Sequence, residues 1–588
     1  MNHKTLLVVA ACLCAAVVTS QDPPVQPARP AVAKVALHGV YLDLPEAGLS
    51  LTTLMAGGGE PPKAFYEVVA KLAGLAKGDA KSPVLVDLSG ELVLNQPQLS
   101  ELERAFARVR ASGRRIYAYL EQGDFVRYQV AALCDKVLLA ELGTLDFKSP
   151  SLTVTFLKDA LDLLGVQMDV VRCGEFKGAV EPFMLSTMSE HLRAHYRAML
   201  ERMNDDLVRR IAERRGLDTK EVRRLQGVRL IPAREALAAK LVDKLVPWEG
   251  AERALRAELA QQDLAFENVL AGKKKSAAFN PMAFLAEILN PKKEKPVEED
   301  TLVVLHLSGG ISDGDKPEPG AMVSGPAVKA IDAVAANDRI KGVVVRVNSP
   351  GGSATASEAI RLALARLAAK KPVVFSMGHV AGSGGYWITC IGRPILAEAG
   401  TITGSIGVFG MKPNAGPLLR RVGVHEEVVA LDASASMDSL GRGFSEAERG
   451  RMQGFIDQVY ELFLDHVARS RGRPQQEIAK IAGGRVWSGV QAKELGLVDE
   501  VGGIEQALAR VGKEAGLPVD KVRHLPKPKS PLEALLAAFG DADEADVLLP
   551  NLLRDRAPGL VQTLAALRGS LQEGAMLRAY ALMEAAYR

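Results

Sequence analysis

The sequence predicts an α/β protein built from two tandem copies of one domain. Three observations carry that prediction. The chain has 588 residues, more than one hydrophobic core accommodates. Short apolar, β-branched runs alternate with helical stretches, the pattern of parallel strands joined by right-handed crossovers. The two halves also match each other. Residues 138–147 align with 395–404 at an offset of 257, with five of ten positions identical, and residues 229–243 align with 485–499 at an offset of 256. Two matches at nearly one offset mark a domain duplication, because solenoid repeats recur every ~20–50 residues.

Taken in order, the chain begins with a targeting segment. A basic start, Met1 to Lys4, precedes an apolar run over 5–18, long enough for a signal core and too short to cross a bilayer as a helix. Two readings stand: cleavage after Ser20, or a lipoprotein signal, because Val9-Ala10-Ala11-Cys12 resembles a lipobox and would leave Cys12 lipidated. Residues 21–32 are proline-rich and read as a tether. The first domain, 33–265, offers strands at 84–88 and 116–120 with a helix at 99–110 between them. Residues 266–300 form a basic linker around an apolar patch at 284–289, a short helix whose flanks would also suit lipid headgroups. The second domain, 301–525, has strands at 302–307, 342–347 and 373–377, with a helix at 356–369. Residues 526–588 read as a helical C-terminal extension that covers core or forms an oligomer contact.

Composition excludes some functions. With 73 basic and 70 acidic residues the net charge is +3, which gives no concentrated basic face for nucleic acid. Outside the signal, Cys134, Cys173 and Cys390 are far apart, so they make no disulfide framework and read as small buried apolar residues.

Two glycine-rich runs follow successive strands of the second half. Asn348-Ser349-Pro350-Gly351-Gly352-Ser353 turns from a strand into a helix, where backbone N–H groups can face a cleft and stabilise an oxyanion. It lacks the Lys-Ser/Thr ending of a nucleotide-binding loop. Ser383 lies in Ala381-Gly382-Ser383-Gly384-Gly385-Tyr386-Trp387 and reads either as a helix N-cap or as a nucleophile. A nucleophilic serine needs a base, and His379 is expected on the same loop, pointing elsewhere. At the offset of 257 Ser383 falls on Val126, so the first half lacks the serine. That half does carry Lys177, and the aligned position in the second half, near Ala435, holds no lysine. The halves are complementary.

These motifs resemble the long, duplicated form of signal peptide peptidase A, a family of Ser-Lys proteases of bacterial envelopes. The resemblance rests on residues 348–352, 381–387, Thr401 to Gly407, Lys177-Gly178-Ala179-Val180-Glu181-Pro182-Phe183, and Val486-Trp487-Ser488-Gly489 with Gly496-Leu497-Val498-Asp499; it covers about 35–525. It implies two ClpP/crotonase-like domains, with Ser383 as nucleophile, Lys177 as general base and Ser405 orienting the lysine amine. Gly351 and Gly352 would form the oxyanion hole, and Gly384 and Tyr386 would border the substrate groove. It further implies apolar peptide substrates such as remnant signal peptides, a homotetramer, a membrane-associated periplasmic location, and no cofactor or metal. The family usually has alanine where this chain has Gly382 and serine where it has Gly178. A free lysine with a pKa of about 10.4 is only about 0.04% neutral at pH 7; a good base must lose about 3 units, near 4 kcal/mol, which burial between two domains supplies. The rival readings are a crotonase-fold acyl-CoA enzyme, disfavoured by the export segment and by Lys177, and a scaffold, which would not need all three residues.

Overall fold

A computed structural model describes residues 31–45, 62–78, 82–271 and 297–526. The targeting segment 1–20, nearly all of the tether, most of the linker including its apolar patch, and all but the first residue of the C-terminal extension lie outside the described residues.

Each half is built on a mostly parallel sheet, and the strand order repeats. In the first half the sheet runs Lys244–Val246, Lys136–Ala140, Ile116–Leu120, Val84–Asp87, Ala31–Ala36, Ala265–Asn268, every pair parallel. In the second it runs Glu500–Val501, Ile395–Ala397, Val373–Gly382, Ile340–Ser349, Thr301–Ser308, Val522–Leu525. The strands expected at 302–307, 342–347, 84–88 and 116–120 are all present. Both faces of these strands are covered, so their sequences are mostly apolar, with His306 and Arg346 among the buried exceptions. The sheet strands Ala31–Ala36 and Ala265–Asn268 extend slightly into the segments expected to be tether and linker, because they pair with each other.

The duplication is visible in finer parts. Glu190–Arg215 and Glu446–Arg471 are both 26-residue helices, each closed by a left-handed glycine, Gly216 and Gly472. Thr144–Phe147 pairs antiparallel with Arg229–Pro232, as Ile402–Gly404 does with Val486–Ser488. The buried Tyr128 hydroxyl donates to the Leu241 carbonyl at 2.9 Å, as Tyr386 donates to Leu497 at 2.7 Å. This tyrosine pair sets the local offset at 258, which places Phe125 rather than Val126 opposite Ser383. Neither residue is a serine.

One feature breaks the repeat. Gln167–Cys173 of the first half pairs antiparallel with Val408–Asn414 of the second, from Gln167 against Asn414 to Cys173 against Val408. This shared ribbon leads the chain of the first half to the centre of the second.

The halves also meet at a buried charge cluster. Arg346, fully buried on a central strand of the second half, donates through Nε to Asp43 Oδ2 at 2.7 Å and lies 3.1 Å from Glu101 Oε1. Arg104 pairs with the buried Glu398. Burial raises the Glu101 carboxyl to about 7; Arg346 opposes the rise, and Asp43 and Glu398 add to it. A raised carboxyl stabilises the fold at low pH, and that stability is lost as pH climbs from about 4.5 through about 7. Glu101→Gln should therefore flatten the fall of the thermal midpoint across that window, measured by calorimetry from pH 4.5 to 8.

Candidate active site

The position of Ser383 is shaped by sheet and helix together. The strand Val373–Gly382 runs further than its apolar core at 373–377, because Ala381 pairs with Ser349 and Val380–Gly382 pairs with Ile402–Gly404. His379 accordingly lies on the strand, not on a loop. Ser383 ends that strand and begins the short helix Gly384–Trp387. Its backbone has φ 55° and ψ −122°, a conformation that suits glycine and costs a serine about 1–3 kcal/mol. The Ser383 amide is anchored to the Gly404 carbonyl at 2.9 Å, and its side chain makes no cap bond. The strain holds the hydroxyl out of its own helix.

Lys177 arrives from the other half. The ribbon strand Gln167–Cys173 delivers Gly174, which packs on Gly483, and the Phe176 amide donates to the Gly483 carbonyl at 2.9 Å. Lys177 then turns inward at 3% exposure. Its Nζ lies 3.0 Å from Ser383 Oγ, 3.1 Å from Ser405 Oγ and 3.1 Å from the Ser405 carbonyl. Ser405 is also held at positive φ, 49°, with its amide bonded to the Arg485 carbonyl at 2.7 Å. Among the described residues no carboxylate forms an ion pair with Lys177, and burial alone pushes its ammonium down to about 8. About a tenth of it is then neutral at pH 7.

The geometry sets which hydrogen bonds the amine can make. The Ser405 carbonyl only accepts, so it takes one N–H, and Ser405 Oγ accepts a second. A neutral amine then has its lone pair left for the Ser383 hydroxyl.

The glycine loop faces the serine. A Cβ built on Gly351 would lie 2.6 Å from Gly384 N and 2.7 Å from Ser383 Cβ, so only glycine permits this approach. The Gly351 amide donates to Ser349 Oγ at 3.2 Å, so it is already taken up within the chain, against the expectation that Gly351 serves the oxyanion hole. Among the described residues the Gly352 and Gly384 amides donate to no protein acceptor. The amide of Gly384, expected only at the groove, was missed as a donor; the signal for it is its place at the first turn of a helix right after Ser383.

Two expectations change. Tyr386 is fully buried under its bond to Leu497, so it borders no groove: its ring points into the core from the helix that follows Ser383. Cys134 and Cys390 are buried, whereas Cys173 is only partly so, because the ribbon covers one of its sides. At Gly178 an added Cβ would meet Leu192 at 2.6 Å and Tyr196 Oη at 2.8 Å, so these side chains fill the space a serine would take. At Gly382 an added Cβ finds its nearest atom 3.5 Å away, room for the alanine seen in the family.

A hydroxyl held against a dry amine suits acyl transfer, and the chain is a serine protease. The model of Peptidase family S49 matches residues 108–263, which contain Lys177, and residues 365–518, which contain Ser383 and Ser405. The chain belongs to that family, in its long form with two copies of the domain. "Protease 4" of Salmonella typhi is 31% identical over 445 residues, 74% of this chain and 69% of the relative. "Protease 4" of Haemophilus influenzae is 31% identical over 442 residues, 74% of this chain and 70% of the relative. "Serine protease SPPA, chloroplastic" of Arabidopsis thaliana is 25% identical over 465 residues, 76% of this chain and 65% of the relative. A solved ClpP1 mutant of Listeria monocytogenes is 15% identical and covers 38% of this chain and 98% of its own, with a TM-score of 0.24.

Proposed function

We propose that this serine endopeptidase works through Ser383 as nucleophile and Lys177 as general base. The observation that carries the reading is the buried Lys177 Nζ at 3.0 Å from Ser383 Oγ, with Ser405 holding its other two positions. Neutral Nζ takes the Ser383 proton as Oγ attacks the scissile carbonyl carbon. The Gly352 and Gly384 amides stabilise the resulting oxyanion. The Lys177 ammonium then protonates the leaving amine, and the acyl-serine remains. Water, deprotonated by the same amine, attacks the ester carbon; the acid product leaves and Oγ recovers its proton.

The substrates are apolar peptides, remnant signal peptides among them, bound extended at the edge of the sheet. The working site is the periplasmic side of the membrane, as a homo-oligomer, with the tetramer implied by the family resemblance. The targeting segment supports export; among the described residues no helix is long and apolar enough to cross a membrane.

Because the base must be neutral, kcat/KM on an apolar fluorogenic peptide should rise about tenfold per pH unit below about 8 and level off above it. A profile centred near 6 to 6.5, the range of a free histidine, would exclude the lysine as base.

A further inference from the structure

Arg485 takes no part in the steps above, yet it touches both arms of the site. Its carbonyl accepts the Ser405 amide at 2.7 Å, and its guanidinium carbon stands 3.8 Å from the centre of the Phe176 ring. Phe176 immediately precedes Lys177. The rings of His191 and His195 meet Phe176 edge-on, with centroids at 5.2 and 5.3 Å, and His195 is itself fixed on the Val486 backbone.

The duplication provides an internal comparison. Arg229 occupies the matching position in the first half, where it forms an exposed ion pair with Asp146 at 2.9 Å. Asp146 corresponds to Thr403, so the second half has no carboxylate at that position. Among the described residues Arg485 forms no ion pair. Its Nη1 donates to the Ala482 carbonyl at 3.1 Å, and its face lies on Phe176. One arginine position has exchanged a surface ion pair in its own half for an aromatic ring of the other half.

The backbone below is already tight. A Cβ on Gly484 would come within 2.4 Å of Lys177 N, so the loop sits directly on Gly483 and Gly484. The main chain thus sets how closely the loop approaches, and the Arg485 guanidinium lies on the ring of Phe176, next to Lys177.

We propose that Arg485 is a positioning residue that reaches the chemistry through Phe176: stacked on that ring, it keeps the lysine loop of the first half closed over Ser383 and Nζ sealed from water. The proposal rests on the Ser383–Lys177 reading. Both partners are half-buried, and a guanidinium over an aromatic ring shifts an equilibrium by about 2- to 30-fold from exposed to desolvated settings. When the stack is lost, the loop opens and water reaches Nζ. Hydration favours the ammonium, so the base titrates at a higher pH.

The test is the pH profile of kcat/KM for wild type, Arg485→Ala, Arg485→Lys, Phe176→Leu and the Arg485→Ala/Phe176→Leu double variant, with folding followed by circular dichroism. Arg485→Ala should move the midpoint up by about one unit and lower the rate at pH 7 by about tenfold, with KM within about twofold. The deficit should close above pH 10. Arg485→Lys, which keeps the charge but not the plane, should fall between. The double variant should match the worse single one, because both break one contact. A deficit that is constant across pH, or an additive double variant, overturns the proposal. If Arg485→Ala does not fold, the same decision rests on Phe176→Leu. A failure of the dyad itself reads differently: Lys177→Met would keep the wild-type rate, whereas failure of the Arg485 role leaves Lys177→Met inactive and the Arg485→Ala midpoint unmoved.

Discussion

Replacing Ser383 with alanine is expected to lower peptide hydrolysis by about 10⁶-fold, the scale found when a serine protease loses its nucleophile. The residual rate is expected from binding and from the amides proposed to hold the oxyanion, which the substitution leaves in place. The fold should survive, because the Ser383 side chain caps no helix and its backbone bond to Gly404 remains. The strain gives a second readout. At φ 55° and ψ −122° an alanine is strained as the serine is, whereas a glycine is not. Ser383→Gly should therefore be as inactive as Ser383→Ala yet more stable by about 1 kcal/mol or more in denaturant titration. An alanine variant that still cleaves at the wild-type rate would remove Ser383 from the mechanism.

Lys177→Met is expected to cost about 10⁴-fold in kcat, the upper range for loss of a general base, while making the protein more stable at neutral pH. The lysine ammonium is buried without a carboxylate, so the folded state holds it at a disadvantage of about 3 kcal/mol relative to water. Methionine fills the same channel without a charge. The sign with pH follows from linkage. Lys177 titrates at about 8 when folded and at 10.5 when unfolded, so between these values the unfolded chain binds more protons and wild-type stability rises with pH. The advantage of the methionine variant should be full below about 8 and should shrink from there to 10.5. Thermal melts at pH 7 and pH 10 measure it. Equal stability at both would mean that the amine is hydrated, and the base assignment would lose its physical support.

Much of this was legible in the sequence for a simple reason. Parallel strands covered on both faces are rich in apolar, β-branched residues, so the apolar runs within Thr301–Ser308, Ile340–Ser349 and Val84–Asp87 stand out without any knowledge of their neighbours, even though His306 and Arg346 interrupt them. Their lengths were less legible: Val373–Gly382 extends past its apolar core because Ile402–Gly404 pairs with its end, and that pairing leaves no periodic trace. Tyr386 was misplaced for a related reason. Its neighbours in sequence are Ser383 and glycines, but its hydroxyl answers to Leu497, more than a hundred residues away. The charge cluster of Asp43, Glu101 and Arg346 carried no signal, since charged residues read as surface until burial shows otherwise.

The sequence by itself determined that there are two copies, that only the second carries the serine, and that only the first carries the lysine. These are statements about residue identity and spacing along one chain. What it could not decide is whether the two residues meet. That depends on a ribbon that pairs residue 167 with 414 and residue 173 with 408, a register set between halves by backbone hydrogen bonds. The tertiary structure also set the titration of the amine. A lysine becomes a base at neutral pH only when both halves close over it and remove its water.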